Sequence, residues 1–301
     1  MLGHVASAGV AVNIAAAVRM VAAMLGAADI VVCVLYFALT IVIGKHSGDA
    51  VDSMDEYFVA GRSMGSCAVS LSSMAALYSG LTLLGSPGYV YVNGPVTALA
   101  LLSIIVWVPI TVLVIPVFHR AGITSAYEYL ELRFNRRLRI VGASLFVLRI
   151  VSYLGSALYV PAVAVEAVAQ VPRWPTIVLT GTVSAAYTVA GGMRAVIWTD
   201  IMQFFVLSGA LMLVAGAATW KNGIGGTLAI NAAADHLKWF DPNPDPTVTF
   251  SVYAVFIGGI AGGLVQTISD QIAVQRILSA ATATEATRAY VSCGPIQFRF
   301  M

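Results

Sequence analysis

Charge is scarce in this chain: Asp, Glu, Lys and Arg make up only 10% of its 301 residues, against about 25% in soluble globular domains. With 59% hydrophobic residues and a mean hydropathy of +0.88, there is too little polar surface to coat a globule in water. Lipid must solvate most of it. Cysteine is scarce as well. Cys33, Cys67 and Cys293 all lie in or beside apolar stretches, which excludes a disulfide framework and reads as small buried residues. The four histidines (His4, His46, His119, His236) are scattered over loops and the tail, with no metal-ligand spacing. Gly191-Gly192 lacks the Lys-Ser/Thr that follows a phosphate loop. No serine is paired with a recognisable His and acid. An enzyme is not indicated, and the net charge of +2 gives no case for nucleic acid.

What is present is a series of long apolar runs. About 20 apolar residues cross the hydrocarbon core of a bilayer, and on that basis the sequence predicts helices at 27–44, 65–87, 96–118, 140–168, 175–190, 200–219 and 251–272, with an eighth beginning near 289. The gaps at 45–62, 119–139, 191–199 and 275–288 hold Lys45, Arg62, Arg120, Arg133, Arg136, Arg137, Arg139, Arg194, Arg276 and Arg288. The opposite-side segments hold only Arg19, Arg173, Lys221 and Lys238. Ten basic residues against four is a positive-inside bias that places the N-terminus outside and the 133–139 cluster in the cytoplasm. Residues 1–26 lack the basic start of a signal peptide and carry Arg19 within the apolar run, so they read as an external tail. The polar stretch 220–250 reads as an external loop.

Two of the runs are unlike lipid-facing helices. The 65–87 run and its continuation to Gly94 carry Ser66, Ser70, Ser72, Ser73, Ser79, Gly80, Thr82, Gly85, Ser86, Pro87 and Gly88. Unwinding inside a membrane is tolerated only where the freed carbonyls are buried or line a wet cavity; the alternative is tight helix packing through small residues. The 251–272 run repeats the theme, with Gly258, Gly259, Gly262 and Gly263 ahead of Gln266, Thr267, Ser269, Asp270 and Gln271. Two Gly-interrupted spans in corresponding positions point to a transporter's binding site; the alternative is that glycines at i and i+4 form a packing face, and the hydrogen-bonding side chains of both spans favour the site. Arg149 lies nine residues after Ile140, about 14 Å into its span. It either faces a cavity, or snorkels or pairs structurally with an acid.

The polar blocks resemble those of the sodium/solute symporter family. They are Glu56-Tyr57-Phe58 with Ala60-Gly61-Arg62-Ser63-Met64, and Gly85-Ser86-Pro87-Gly88 with Tyr91 and Gly94. Tyr127-Glu128-Tyr129-Leu130 follows, with Arg133-Phe134-Asn135. The most specific block is Tyr187 with Gly191-Gly192-Met193-Arg194-Ala195-Val196-Ile197-Trp198-Thr199-Asp200 and Gln203. Asp270-Gln271, Val274-Gln275-Arg276 and Leu278-Ser279 complete the order. Tyr153-Leu154-Gly155, Leu158-Tyr159, Pro161 and the Phe240-Asp241-Pro242-Asn243-Pro244-Asp245-Pro246 segment look most like the branch that carries monocarboxylates, iodide and vitamin-like carboxylates.

The resemblance implies an all-α polytopic membrane protein with an inverted repeat of five plus five helices behind an extra leading helix. Mapped onto this sequence, 27–44 is the leading helix, 65–219 is the first repeat, and 251–301 is the start of a second repeat that is incomplete here, in its seventh core helix. It further implies sodium-coupled symport of a small solute across the plasma membrane, with Na+ as the coupling ion and no other cofactor. The expected partners are Na+, the solute and the lipid bilayer, with the oligomeric state left open. One half of a Na+ site maps onto the carbonyls of Ala75 and Tyr78; the family's other half, on core helix eight, has no counterpart in this sequence. Asp200 is implied to face the path by which the ion leaves inward, or to cap its helix N-terminus. Ser79, Thr82, Arg149, Gln266, Ser269 and Asp270 are the expected solute contacts. The sugar-carrying branch has an aromatic residue where Gln266 stands, which favours an anion, and Arg149 is placed to meet one. A neutral-solute symporter and a shortened, non-transporting membrane protein are the rival expectations.

Overall fold

The computed structural model describes residues 27–48, 53–95, 102–234, 236–237 and 251–300, and the side chains only as far as 292. The expected tail at 1–26, the start of the third span at 96–101 and the 240–246 segment lie outside those residues. The described chain is helical: α1 (Ala27–Gly48), α2 (Met54–Val59), α3 (Ser66–Leu77), α4 (Gly80–Asn93), α5 (Ile104–Ala121) and α6 (Ala126–Arg133) come first. They are followed by α7 (Arg136–Ala169), α8 (Arg173–Ala233), α9 (Val252–Leu264), α10 (Gln271–Ser279) and α11 (Ala283–Phe300).

Side-chain caps set many of these limits. Ser53, Ser79, Ser125, Asn135, Ser251 and Asp270 each accept a backbone N–H in the first turn that follows, satisfying donors a helix cannot pair internally. Four helices (α5, α7, α8, and α9 with the π-turn that follows it) are long and apolar enough to cross a membrane. The bent pair α3 and α4, which meet at 58°, passes the same test when taken together, as a broken span or a re-entrant loop. The protein is therefore a multi-pass membrane protein.

Two expected gaps are helical. The spans at 175–190 and 200–219 belong to α8, which is interrupted at Gly192 (φ 55, ψ −152) and again at Gly223 (φ 68, ψ 160). The connection expected at 191–199 therefore shrinks to one glycine. A Cβ on Gly192 would sit 2.7 Å from the Tyr57 carbonyl oxygen, so α2 rests directly on this backbone. The loop expected from 220 is helical as far as Ala233. The eighth helix begins at Ala283 rather than near 289.

Lipid supplies little hydrophobic drive for helix association, so packing of small residues and polar contacts carry the assembly. The core lies where α3, α5, α10, α11 and the middle of α8 converge. It contains Val69, Trp107, Ile115, Ile197, Ile277 and Tyr290, all buried. Along α1 and α7 the large apolar side chains face outward instead; Val32 and Leu148 are exposed, as lipid contact requires. Cys33 and Cys67 are exposed as well, which corrects the expectation that they are buried. Outside the helices, Met64 donates to the Ser279 carbonyl at 3.0 Å and accepts from Ala281 at 2.9 Å. That bridge holds the entrance of α3 beside the exit of α10.

Candidate functional site

The first break lies between α3 and α4. Tyr78 (φ −94, ψ 84) leaves helical geometry, and Ser79 starts α4 by accepting the Thr82 N–H at 3.3 Å. Thr82 Oγ1 in turn donates to the Leu77 carbonyl at 3.4 Å. Met74 still accepts from Tyr78, but the last carbonyls of α3, from Ala75 onward, have no N–H one turn ahead inside the helix. The expectation of unwinding holds, and its place is Tyr78–Ser79. The Gly85-Ser86-Pro87-Gly88 stretch lies inside α4.

The second break comes after the glycines, not at them. Helix α9 runs through Gly258 to Gly263, passes into a π-turn over Val265–Ser269, and ends at Asp270. One of these glycines serves packing: a Cβ on Gly263 would sit 2.5 Å from the Trp107 ring, so that glycine lets α5 approach, whereas Gly258 and Gly262 meet open space. Asp270 caps α10 with one carboxylate oxygen on the Ile272 N–H at 3.0 Å. Its other oxygen accepts from Arg149 at 2.6 Å. Gln271 clamps the start of α6, accepting from Ala126 N at 3.0 Å and donating to Thr124 O at 3.2 Å.

Both breaks open on one cavity of about 380 Å³. Five expected residues line it: Ser79, Thr82, Arg149, Gln266 and Asp270. Ser269 does not. Its carbonyl accepts from Tyr127 OH at 3.1 Å, and the residue borders a separate groove. Ala75 packs with Met74 and Phe204, and Tyr78 borders a small apolar pocket near Phe204. Burial pushes the Tyr127 phenol above its ordinary pKa and the Asp270 charge adds to the rise, while Arg149 opposes it.

Sequence reasoning missed part of the wall. Trp107, Tyr290 and Ser73 all line the cavity. The Ser73 hydroxyl oxygen is buried and has no hydrogen-bond partner among the described residues. Thr267 also lines it, its hydroxyl 2.8 Å from that of Thr111. Ser73 was visible as one of many serines, but nothing in the spacing separates its hydroxyl from that of Ser72.

Ser72 faces the other way, into a buried cluster. Asp200 Oδ2 accepts from Ser72 Oγ at 2.6 Å, from Arg276 Nη2 at 2.6 Å and from Arg276 Nε at 3.2 Å. A further guanidinium nitrogen donates to the Ile272 carbonyl at 2.7 Å. Asp200 is therefore not a cap. It lies well past Gly192 inside α8, and the Thr199 hydroxyl bonds back to the Ala195 carbonyl. Arg276, counted above among the basic residues of a gap, is 5% exposed. The Asp200 cluster joins α3, α8 and α10 directly beneath the cavity, which Arg276 also lines.

The model of the sodium:solute symporter family matches residues 57–301. The chain is 35% identical over 236 residues to sodium-coupled monocarboxylate transporter 1 of Xenopus laevis, covering 77% of this chain and 38% of that protein. It is 32% identical over 276 residues to the sodium-dependent multivitamin transporter of Oryctolagus cuniculus, covering 89% and 43%. It is 32% identical over 236 residues to the human sodium/iodide cotransporter, covering 78% and 37%. The chain thus spans about two fifths of these relatives' length. Among solved structures, a substrate-bound, outward-open Na+-coupled sialic acid symporter superposes with a TM-score of 0.83 at 26% identity, over 90% of this chain and 57% of that one. These relatives are sodium-coupled transporters rather than enzymes and fall in the anion-carrying branch. The family model covers most of the chain and the relatives match more than three quarters of it, so the chain belongs to the sodium:solute symporter family.

Proposed function

We propose that this chain serves sodium-coupled secondary active symport of a small anion, such as a monocarboxylate, across the plasma membrane with its N-terminus outside. The observation that carries the proposal is Arg149, a guanidinium on the cavity wall held by an ion pair with Asp270. Its side chain is 49% exposed while that of Asp270 is 14% exposed, so the guanidinium is open to the cavity and its acidic partner is largely covered. An entering carboxylate or halide reaches the open side of the guanidinium and shares it with Asp270. Ser79 and Thr82 at the first break, with Gln266 and Asp270 at the second, complete the solute contacts. The unpartnered Ser73 hydroxyl supplies a further donor.

The two broken elements, α3–α4 and α9–α10, are read as corresponding members of an inverted five-plus-five repeat, with α1 as the leading helix. The carbonyls of Ala75 and Tyr78 supply one half of a Na+ site. Sodium takes oxygen ligands, and carbonyls freed at a helix break offer them without a buried fixed charge. Ion and solute bound together shift the balance between inward- and outward-open forms by their differential affinity for the two. Asp200 faces the route by which the ion leaves inward, and that route opens when Arg276 lets it go.

A neutral solute is the second reading, favoured by the same ion pair, because Asp270 cancels the charge of Arg149. Binding of radiolabelled lactate, iodide, biotin and glucose to the purified chain, with Na+ and with K+, separates the two. The anion reading expects Na+-dependent lactate or iodide binding that Arg149→Gln abolishes. Na+-dependent glucose binding that is lost on replacing Gln266 would defeat it.

A further inference from the structure

The groove that Ser269 borders has no part in the solute cavity. Its volume is about 400 Å³, and its walls are Val117 and Phe118 of α5, Ala126, Tyr129 and Leu130 of α6, and Ile268 of the π-turn. It is apolar and open at Val117, which is 44% exposed. Val117 lies four residues before the end of α5, about 6 Å along the helix axis. The groove therefore lies near the end of an apolar helix long enough to cross a membrane, beside the basic 133–139 segment.

Among the described residues, the charge beside the groove that is not already paired or hydrogen-bonded is basic. Ala126, Tyr129, Leu130 and Arg133 stand at i, i+3, i+4 and i+7 of α6, so Arg133 continues the face that lines the groove. It is exposed and makes no ion pair among the described residues. Arg136 and Arg137 follow in the first turn of α7, where no acidic residue stands to offset them. Arg139 is already taken by Glu131 at 2.6 Å. Glu128 is occupied by the Thr124 N–H and hydroxyl. Leu132 and Phe134 are exposed on either side of Arg133. An apolar slot ending in unpaired guanidinium groups is complementary to an amphiphile with a negative head, and the bilayer around the protein is made of amphiphiles.

We propose that this groove and Arg133 form a site for one anionic phospholipid of the surrounding leaflet. An acyl chain occupies the groove and the phosphate head lies against Arg133, with Arg136 and Arg137 adding to the field. Ile268 precedes the Asp270 break by two residues, so the acyl chain packs against the segment that shapes the solute cavity and stiffens it.

Native mass spectrometry of the detergent-purified chain with palmitoyl-oleoyl phosphatidylglycerol or phosphatidylcholine tests this directly, with no dependence on transport. Phosphatidylglycerol is expected to be retained in preference to phosphatidylcholine. Arg133→Gln should lower that preference about fivefold, the equivalent of one interfacial arginine. Val117→Trp, which fills the groove from its exposed edge, should lower retention of the lipid while leaving helix content by circular dichroism unchanged. Lys221→Gln, a basic residue elsewhere, should change neither. Equal retention of the two lipids overturns the proposal. So does a preference that survives Arg133→Gln, retention that survives Val117→Trp, or oleate held more tightly than phosphatidylglycerol.

Discussion

Replacing Arg276 with methionine would strand Asp200. Their side chains are 6% and 13% exposed, so neither charge has water to fall back on. Arg276 supplies two of the three hydrogen bonds that Asp200 Oδ2 receives; the third comes from Ser72. Removing one member of such a pair costs about 3–5 kcal/mol, because the remaining charge stays buried without compensation. Asp200→Leu alone should cost a similar amount by stranding Arg276. The double variant Arg276→Met/Asp200→Leu removes both charges and should return to within about 1–2 kcal/mol of the parent. Unfolding by SDS titration in mixed micelles measures all three, and the double-mutant cycle gives a coupling of several kcal/mol. A double variant as unstable as the sum of the singles would refute the reasoning, since two independent losses carry no coupling.

Three further outcomes follow from the packing and the polar contacts. Gly263→Ala should push the Trp107 ring, 2.5 Å from the new methyl, and lose about 1–3 kcal/mol by overpacking. Gly262→Ala, which meets open space, is the matched control in the same SDS titration and in solute binding. Gly192→Ala should destabilise by about 1–3 kcal/mol from backbone strain alone, with the contact to the Tyr57 carbonyl added, while helix content is kept. Glu285 is held below its ordinary pKa by hydrogen bonds from Ser66, with Arg288 adding to the effect. Its contribution is therefore complete above the unfolded carboxylate value of about 4.3 and disappears as pH falls through the lower folded value. Amide exchange at Ser66 should be faster in Glu285→Gln than in the parent at neutral pH and equal to it in acid; equal rates at neutral pH would remove the link.

Composition and run length were enough to read a helical membrane protein, because lipid solvation leaves a mark on every residue. Positions of the breaks were harder. The Ser/Gly density of 65–87 marked the right helix, yet the chain turns at Tyr78–Ser79 because Ser79 can cap α4, and Gly85 to Gly88 stay helical. In 251–272 the glycines drew attention, but a helix can use glycine for close approach to a neighbour, as at Gly263 against Trp107, as readily as for bending. The turn falls where Asp270 can cap α10, so a capping residue in mid-span was the better signal. The 191–199 segment carried Arg194 and a Gly pair and read as a connection; a single glycine performs that turn and the helix resumes at once. Arg276 shows the limit of one-dimensional charge counting. In sequence it is another basic residue of a gap, and only the convergence of α3, α8 and α10 reveals its partner.

The two Arg–Asp pairs have the same 2.6 Å contact and opposite consequences, and the difference is solvent. Arg276–Asp200 is buried, also holds Ser72, and joins three helices below the cavity, so separating the pair would strand two covered charges. Arg149–Asp270 stands at the cavity wall with the arginine half exposed, so under the anion reading proposed above an arriving anion shares the guanidinium with Asp270. Asp270 is also the cap of α10, the helix that carries Arg276. Under that reading, a solute that engages Arg149 acts on the cap of the helix whose sixth residue, Arg276, holds the buried cluster. Somewhat less than two turns of α10 separate the open pair from the locked one. Asp270→Asn tests whether the two pairs are energetically separate, since it keeps an oxygen for the Ile272 N–H and loses the charge. It should weaken the hold on Arg149, raise anion affinity, and leave the Arg276→Met penalty unchanged in SDS titration. If Asp270→Asn instead erases that penalty, the two pairs form one electrostatic unit and the division between them fails.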